Sequence, residues 1–174
     1  LDDLLNKTVE KTAEIIKTNA AARGDDMSAD EIAEIAEKVG IGAVKYTYLK
    51  SGREKAILFD WDEMLDFEGD TAPYLIYTYA RTRSILRKAD SLGLDIASES
   101  GLGLLTGDDE YAVIRNLADY KDSIRKAAAS YEPFMVSRQI AVIARSYNRF
   151  YNNSSILSAD STEQKKARLA LCSC

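Results

Sequence analysis

The chain is expected to be all-α, and two observations predict it. Apolar residues recur at three- and four-residue intervals along most of the sequence. The breaks between these runs carry helix caps and glycines rather than hairpin turns. The expected architecture is an antiparallel helix bundle over residues 71–174, four or more helices joined by short connections. A mainly helical segment with one short strand is expected ahead of it, over residues 1–70.

Leu1, Leu4, Leu5, Thr8, Val9, Thr12, Ile15 and Ile16 mark one face of a first helix, which Arg23-Gly24-Asp25-Asp26 breaks. Ser28 opens a second with a capping box: its hydroxyl caps the helix while Glu31 reaches back from three residues on. Met27 and Ile32 flank the cap as a hydrophobic staple, and Ile32, Ile35, Ala36 and Val39 form the buried stripe. Gly40 is expected to end this helix, and Ile41 to Leu49 to form a third. Ser51-Gly52 is a turn. Ala56-Ile57-Leu58-Phe59 is short, apolar and partly β-branched, and is expected to be an isolated strand. Asp60 then opens a short helical piece reaching Asp66. Asp70 or Thr71 caps the next helix, with Pro73 in its first turn, where the missing N–H costs nothing. That helix should run from Pro73 to Leu92 and close at Gly93. Residues 95–107 read as a loop, 110–120 and 121–131 as two short helices, and Pro133 to Asn152 as a long one. Thr162 is the expected cap of a last helix reaching Leu171. The start at Leu1 without a methionine, and the end inside Ala167-Leu169-Ala170-Leu171 without a C-cap, read as those of a fragment.

With 46% hydrophobic and 29% charged residues, composition excludes a disordered chain. No run approaches eighteen apolar residues, so no membrane-spanning helix is expected. The only cysteines, Cys172 and Cys174, give no disulfide framework, and a reducing, cytoplasmic location is expected. Histidine is absent, which removes Ser-His-Asp and Cys-His nucleophiles and histidine-bearing zinc sites. Any enzyme here would have to use carboxylates, lysine or tyrosine. There is no Gly-Lys-Ser/Thr phosphate loop, and Gly101-Leu102-Gly103 is too short for a dinucleotide fingerprint. Asp60-Trp61-Asp62-Glu63 matches no calcium loop and reads as a helix cap with an acidic first turn. Cys172-Ser173-Cys174 lacks partners for a metal, so no metal or cofactor is expected on these residues. The net charge of −5 hides a split: residues 1–70 carry −8 and residues 71–174 carry +3. An acidic front and a basic back point to two units with different partners.

Two stretches carry candidate chemistry. On the helix from Pro73, Tyr74, Tyr77 and Arg81 stand at i, i+3 and i+7, and Lys88 continues their face. Leu75, Tyr79, Thr82 and Leu86 lie on a neighbouring face that can pack. Aromatic rings beside guanidinium groups accept stacked bases and phosphates. The same spacing also fits a packed stripe in which Tyr74, Tyr77 and Ile85 are core and the arginines are solvated. On the helix from Pro133, Val136, Ile140, Ile143 and Tyr147 form an apolar stripe opposite Arg138, Arg145 and Arg149. Asn148, Phe150 and Tyr151 crowd its end.

Gly40-Ile41-Gly42-Ala43-Val44-Lys45-Tyr46, Phe59-Asp60-Trp61-Asp62 and Glu68-Gly69-Asp70-Thr71-Ala72-Pro73-Tyr74-Leu75-Ile76-Tyr77 with Ala80-Arg81 follow one another as in arginyl-tRNA synthetases. Asn148-Arg149-Phe150-Tyr151-Asn152 and Ala167-Arg168-Leu169-Ala170-Leu171 resemble that family's anticodon-binding bundle. The resemblance covers nearly the whole chain, and Pro-Tyr-Leu-x-Tyr-x-x-Ala-Arg is its most specific part. It implies a class I ligase that joins arginine to its tRNA with ATP and magnesium. The HIGH-type and KMSK-type motifs are absent, so the chain alone is expected to be inactive, with residue 1 falling shortly after the KMSK-like loop. The implied partners are arginine tRNAs and the catalytic domain of the same protein, with no membrane. By motif position, Tyr74, Tyr77 and Arg81 resemble residues facing the anticodon loop, and Tyr151 resembles the aromatic that meets it from the long helix. Asn148 and Arg149 are adjacent candidates. The chain departs from the family at Ile76, where Gln is common, and at Tyr79, where His is common; the family also continues beyond Leu171. Other readings are the bundle of another class I synthetase, such as the cysteinyl enzyme, a helical module docking an acidic protein, and an enzyme using Asp60, Asp62 or Glu63.

Overall fold

The computed structural model describes residues 2–94 and 101–174. Among these, every regular element is helical: α1 (Asp2–Arg23), α2 (Ala29–Leu49), α3 (Trp61–Met64), α4 (Ala72–Ser91), a 3₁₀ turn (Leu102–Leu104), α5 (Asp108–Ser130), α6 (Phe134–Asn153) and α7 (Thr162–Ser173). Two compact units divide between Ile76 and Tyr77, inside α4.

In the first unit, α1 packs against α2. The Ser28 capping box forms as expected: Ser28 Oγ accepts from the Glu31 amide at 3.2 Å, and the Glu31 carboxylate accepts from the Ser28 amide at 2.9 Å. Gly40 does not end α2, which runs unbroken to Leu49. Its role is spacing. A Cβ at Gly40 would lie 3.2 Å from the Val9 backbone and from Thr12 Oγ1, so the missing side chain lets α1 approach. Thr8 and Thr12 are buried at that seam, and each hydroxyl donates to the carbonyl four residues back at 2.7 Å. Ala43, Val44, Met64, Leu65 and Ala72 form the core of this unit, with Phe59 and Trp61 packed on it. The expected strand at Ala56–Phe59 does not form: the segment is irregular and Leu58 is 92% exposed. Among the described residues nothing pairs with its backbone as a second strand, and a lone strand has no ladder to hold it. Asp60 caps α3 as expected, its carboxylate accepting from the amides of Asp62 (2.8 Å) and Glu63 (3.0 Å). Thr71 rather than Asp70 caps α4, accepting from the Tyr74 amide at 3.2 Å. Asp70 instead accepts from the Tyr46 hydroxyl at 2.7 Å.

In the second unit, α4 closes at Gly93, whose φ of +69° places it in the left-handed region. The expected loop over 95–107 lies partly outside the described residues, and Leu102–Leu104 within it forms the 3₁₀ turn. The two short helices expected over 110–131 are one helix, α5, because no glycine or proline interrupts Asp108–Ser130. Glu110 caps its start, accepting from the Gly107 amide at 2.9 Å. Tyr131, at φ 57°, ends it, and the short link through Pro133 makes α5 and α6 antiparallel. The packed line of α6 is Ser137, Ala141, Ala144, Tyr147 and Asn148, rotated from the expected stripe: Ile140 is 37% exposed. Small residues let α5 come close, as Gln139 Nε2 donating to the Asn116 carbonyl at 2.7 Å shows. Ser161, one residue before Thr162, caps α7 by accepting from the Gln164 amide at 3.1 Å. Ile85, Leu86, Ala89, Val113, Tyr147, Phe150, Ile156, Leu169, Leu171 and Cys172 draw α4 to α7 into one core. The fold class is therefore an all-α bundle preceded by a helical segment, as expected, with no strand among the described residues.

Candidate nucleic-acid interface

Side chains rather than close backbones join α4 to the end of α6. Thr78 and Ile85 of α4 turn inward, which leaves Arg81 at the edge of the buried face and Tyr77 outside it, 47% exposed. The Arg81 guanidinium lies 4.7 Å from the Tyr77 ring centre and 4.6 Å from that of Tyr151. Two tyrosine rings thus hold one cation. Its Nη2 donates to the Tyr77 hydroxyl at 2.8 Å. Its Nη1 donates to Asn148 Oδ1 at 2.9 Å and, longer, to Asn152 Oδ1 at 3.4 Å. Asn148 is buried, and its Nδ2 donates to Thr78 Oγ1 at 2.7 Å, which fixes the amide and hence the guanidinium. Among the described residues every group touching Arg81 is neutral, so its charge is held in place and not cancelled.

Of the candidate residues, Tyr77, Arg81, Asn148 and Tyr151 are brought together. Arg149 is not. It is one residue past Asn148, hence about 100° around the helix, and its Nε pairs with Asp109 Oδ1 at 3.3 Å. Tyr74 lies in the part of α4 that belongs to the first unit, and is half-buried there. Tyr79, expected on the packing face, is 66% exposed, whereas Ile85 and Leu86 are buried. Thr78 and Asn152 escaped the sequence reading. Asn152 was detectable as the residue one turn beyond Asn148; Thr78, an ordinary helical threonine, carried no signal.

The acidic stretch gives no comparable site. Asp60 and Glu63 line one hollow of about 240 Å³, and Asp62 lines another of about 290 Å³ with Lys11, Glu14 and Trp61. The three carboxylates do not converge, and Asp60 is committed to capping α3. Among the described residues no group of three His, Cys, Asp or Glu side chains could hold a metal. No described helix is long and apolar enough to cross a membrane.

Comparison with known proteins sets this geometry in context. Residues 1–61 match the catalytic domain of class I (R) tRNA synthetases. The arginine–tRNA ligase of Clostridium kluyveri is 43% identical over 174 residues, all of this chain and 30% of the ligase. That of Clostridium acetobutylicum is 41% identical over 171 residues, 98% of this chain and 29% of the ligase. The chain thus spans about 30% of the length of the curated relatives it matches. Thermus thermophilus arginyl-tRNA synthetase superposes with a TM-score of 0.83 at 27% identity, over 99% of this chain and 28% of that one. The Plasmodium falciparum arginyl-tRNA synthetase shares the fold, with a TM-score of 0.79 at 22% identity over 99% of this chain and 30% of that one. Residues 75–174, the greater part of the chain and the part that holds Arg81 between its two tyrosines, match the DALR anticodon binding domain, and the chain belongs to that family.

Proposed function

We propose that this chain supplies anticodon-loop recognition to an arginine–tRNA ligase, with arginine tRNAs as its partners. The observation that carries the reading is Arg81, held 4.7 Å and 4.6 Å from the ring centres of Tyr77 and Tyr151 and fixed by Asn148. Anticodon bases unstack from the loop and rest on the outer faces of the tyrosines, each stacked base contributing about 1–3 kcal/mol. Arg81 Nε–H has no partner among the described residues and is left to meet a phosphate or a base edge. Tyr74 and Arg149 extend the contact less directly, Arg149 after leaving Asp109. The reading takes residues 1–70 as a linking segment and 71–174 as the bundle; the Thr71 cap at the start of α4 supports it, although the compact units divide within that helix, between Ile76 and Tyr77.

The ligation of arginine with ATP and magnesium, the partnership with a catalytic domain and the cytoplasmic location are proposals for the whole protein. These residues hold neither the HIGH-type nor the KMSK-type motif, so no step through ATP is assigned to them. The test is a titration of the chain with an arginine tRNA and with an anticodon-altered copy at one salt concentration. A clear loss of affinity for the altered copy is expected, and Tyr77→Ala and Arg81→Ala should abolish the difference with the fold intact by circular dichroism. Equal binding of both RNAs by the parent chain would overturn anticodon reading.

A further inference from the structure

The basic excess of residues 71–174 has a single address. α4 carries Arg81, Arg83, Arg87 and Lys88 against Asp90 alone, while residues 92–174 hold 10 Lys+Arg and 10 Asp+Glu. The +3 of this half is the charge of one helix. Tyr77, Ala80, Arg83, Ser84, Arg87 and Lys88 are all exposed, and none is a carboxylate. Elsewhere the cations are partly committed: Arg149 to Asp109, Arg168 to Glu110 and Arg125 to Asp122. The side chains of Arg83, Arg87 and Lys88 have no ion pair or hydrogen bond among the described residues. Like charges at i and i+4, as at Arg83 and Arg87, disfavour a helix. The one carboxylate of α4, exposed Asp90, stands one turn past Arg87 and forms no ion pair with it, so this cationic ridge is not there for the stability of α4.

We propose that this ridge is a second RNA contact, continuous with the Arg81 site, that holds the sugar–phosphate backbone and reads no base. The inference rests on the RNA-binding reading above and adds where the rest of the RNA lies. From Tyr77 to Lys88 the helix rises about 16 Å at 1.5 Å per residue. That length passes four to five nucleotides of one strand at about 3.4 Å each. Beyond Tyr77 and Tyr79 the ridge offers no aromatic ring and no side-chain amide, and its exposed arginines are not fixed by any partner among the described residues as Arg81 is by Asn148, hence charge without a base-selecting geometry.

The test is the salt dependence of tRNA binding by the 174-residue chain and by Arg83→Gln, Arg87→Gln and the double variant. Arg125→Gln, whose arginine is paired and exposed on α5, is the control. The substituted side chains are exposed, and circular dichroism checks that the helix content is kept. Each ridge substitution should weaken an arginine tRNA and its anticodon-altered copy by the same factor. Each should also shrink the slope of log K against log salt by about 0.7–1. The control should leave the slope alone. An unchanged slope in the double variant, with the parent chain still distinguishing the two RNAs, would overturn the ridge and leave anticodon reading standing. A parent chain that binds both RNAs equally, but whose slope falls as expected in the variants, would overturn anticodon reading and leave the ridge. An unchanged slope together with lost binding of an acidic helical peptide would assign the ridge to a protein, and absence of any RNA binding would overturn both.

Discussion

Cys172 is buried in the core of the second unit, where the Tyr147 hydroxyl donates to its sulfur at 3.8 Å. Burial pushes the thiol up from its ordinary 9.0 to about 12, although the Tyr147 hydrogen bond works against the rise. Burial likewise lifts the Tyr147 hydroxyl above the usual tyrosine range, with the nearby Cys172 adding to it. Below about pH 9 both folded and unfolded chains keep the thiol neutral, and its full contribution to stability is present. As the pH rises from 9 towards 12 the unfolded chain releases that proton and the folded chain does not, so stability falls through this window. A thiol-specific disulfide reagent at pH 8 should therefore label exposed Cys174 quickly and reach Cys172 only after unfolding. Rapid labelling of both would contradict the burial. The same scale shows what spacing conveys and what it does not. Tyr77 and Arg81 were legible because i, i+4 neighbours share a helix face. That Arg149 pairs with Asp109, forty residues away, was not legible, because a basic residue beside Asn148 looks equally free from spacing alone.

Helix starts were legible where a side chain does the capping, as at Ser28 and Asp60, because caps act over three residues and need no tertiary contact. Helix ends and interruptions were less so. Gly40 is a break by propensity, yet α2 passes through it because the glycine admits α1, a long-range reason that local sequence does not carry. The strand expected at Ala56–Phe59 failed for the complementary reason, that a strand needs a partner from elsewhere. The two glycines of α2 make the point testable. A Cβ at Gly40 meets the Val9 backbone at 3.2 Å, whereas one at Gly42 meets only the flexible end of Ile76, at 3.7 Å. Gly40→Val should destabilise the chain by about 1–3 kcal/mol through overpacking. Gly42→Ala should stabilise it by about 0.5–1 kcal/mol by removing backbone freedom from the unfolded chain. Urea unfolding of the pair settles this, and equal effects would mean that Gly40 is not the spacer of the α1–α2 seam.

Across the whole chain, fold class and charge division were legible because both are sums over many residues, in which single errors cancel. The division into cores was not, since it depends on which apolar stripes meet. The two cores share no residue: one draws on Ala43, Val44, Met64, Leu65 and Ala72, the other on α4 to α7 from Ile85 onward. The second also contains a part-buried ion pair. Arg168 Nε donates to Glu110 at 2.6 Å, with the two side chains 15% and 3% exposed. Arg168 also donates to the Ser155 carbonyl at 3.0 Å, and Glu110 caps Gly107, so one pair ties the start of α5 to α7 and to the turn after α6. Removing Glu110 leaves Arg168, which keeps partial exposure and its bond to Ser155, without its carboxylate, at about 1–3 kcal/mol. Glu110→Ala should therefore cost the second unit that much, while Glu110→Gln, which keeps the cap on the Gly107 amide, should cost less. Amide hydrogen exchange reads where the loss falls. Protection in α5, α6 and α7 should drop in Glu110→Ala, with α1 and α2 holding theirs, because their seam is built on Thr8, Thr12 and Gly40 and draws nothing from the pair. An equal drop in α1 and α2 would mean that the chain unfolds as one cooperative body despite its two cores, with the continuous helix α4, which crosses from one unit to the other, as the element that couples them.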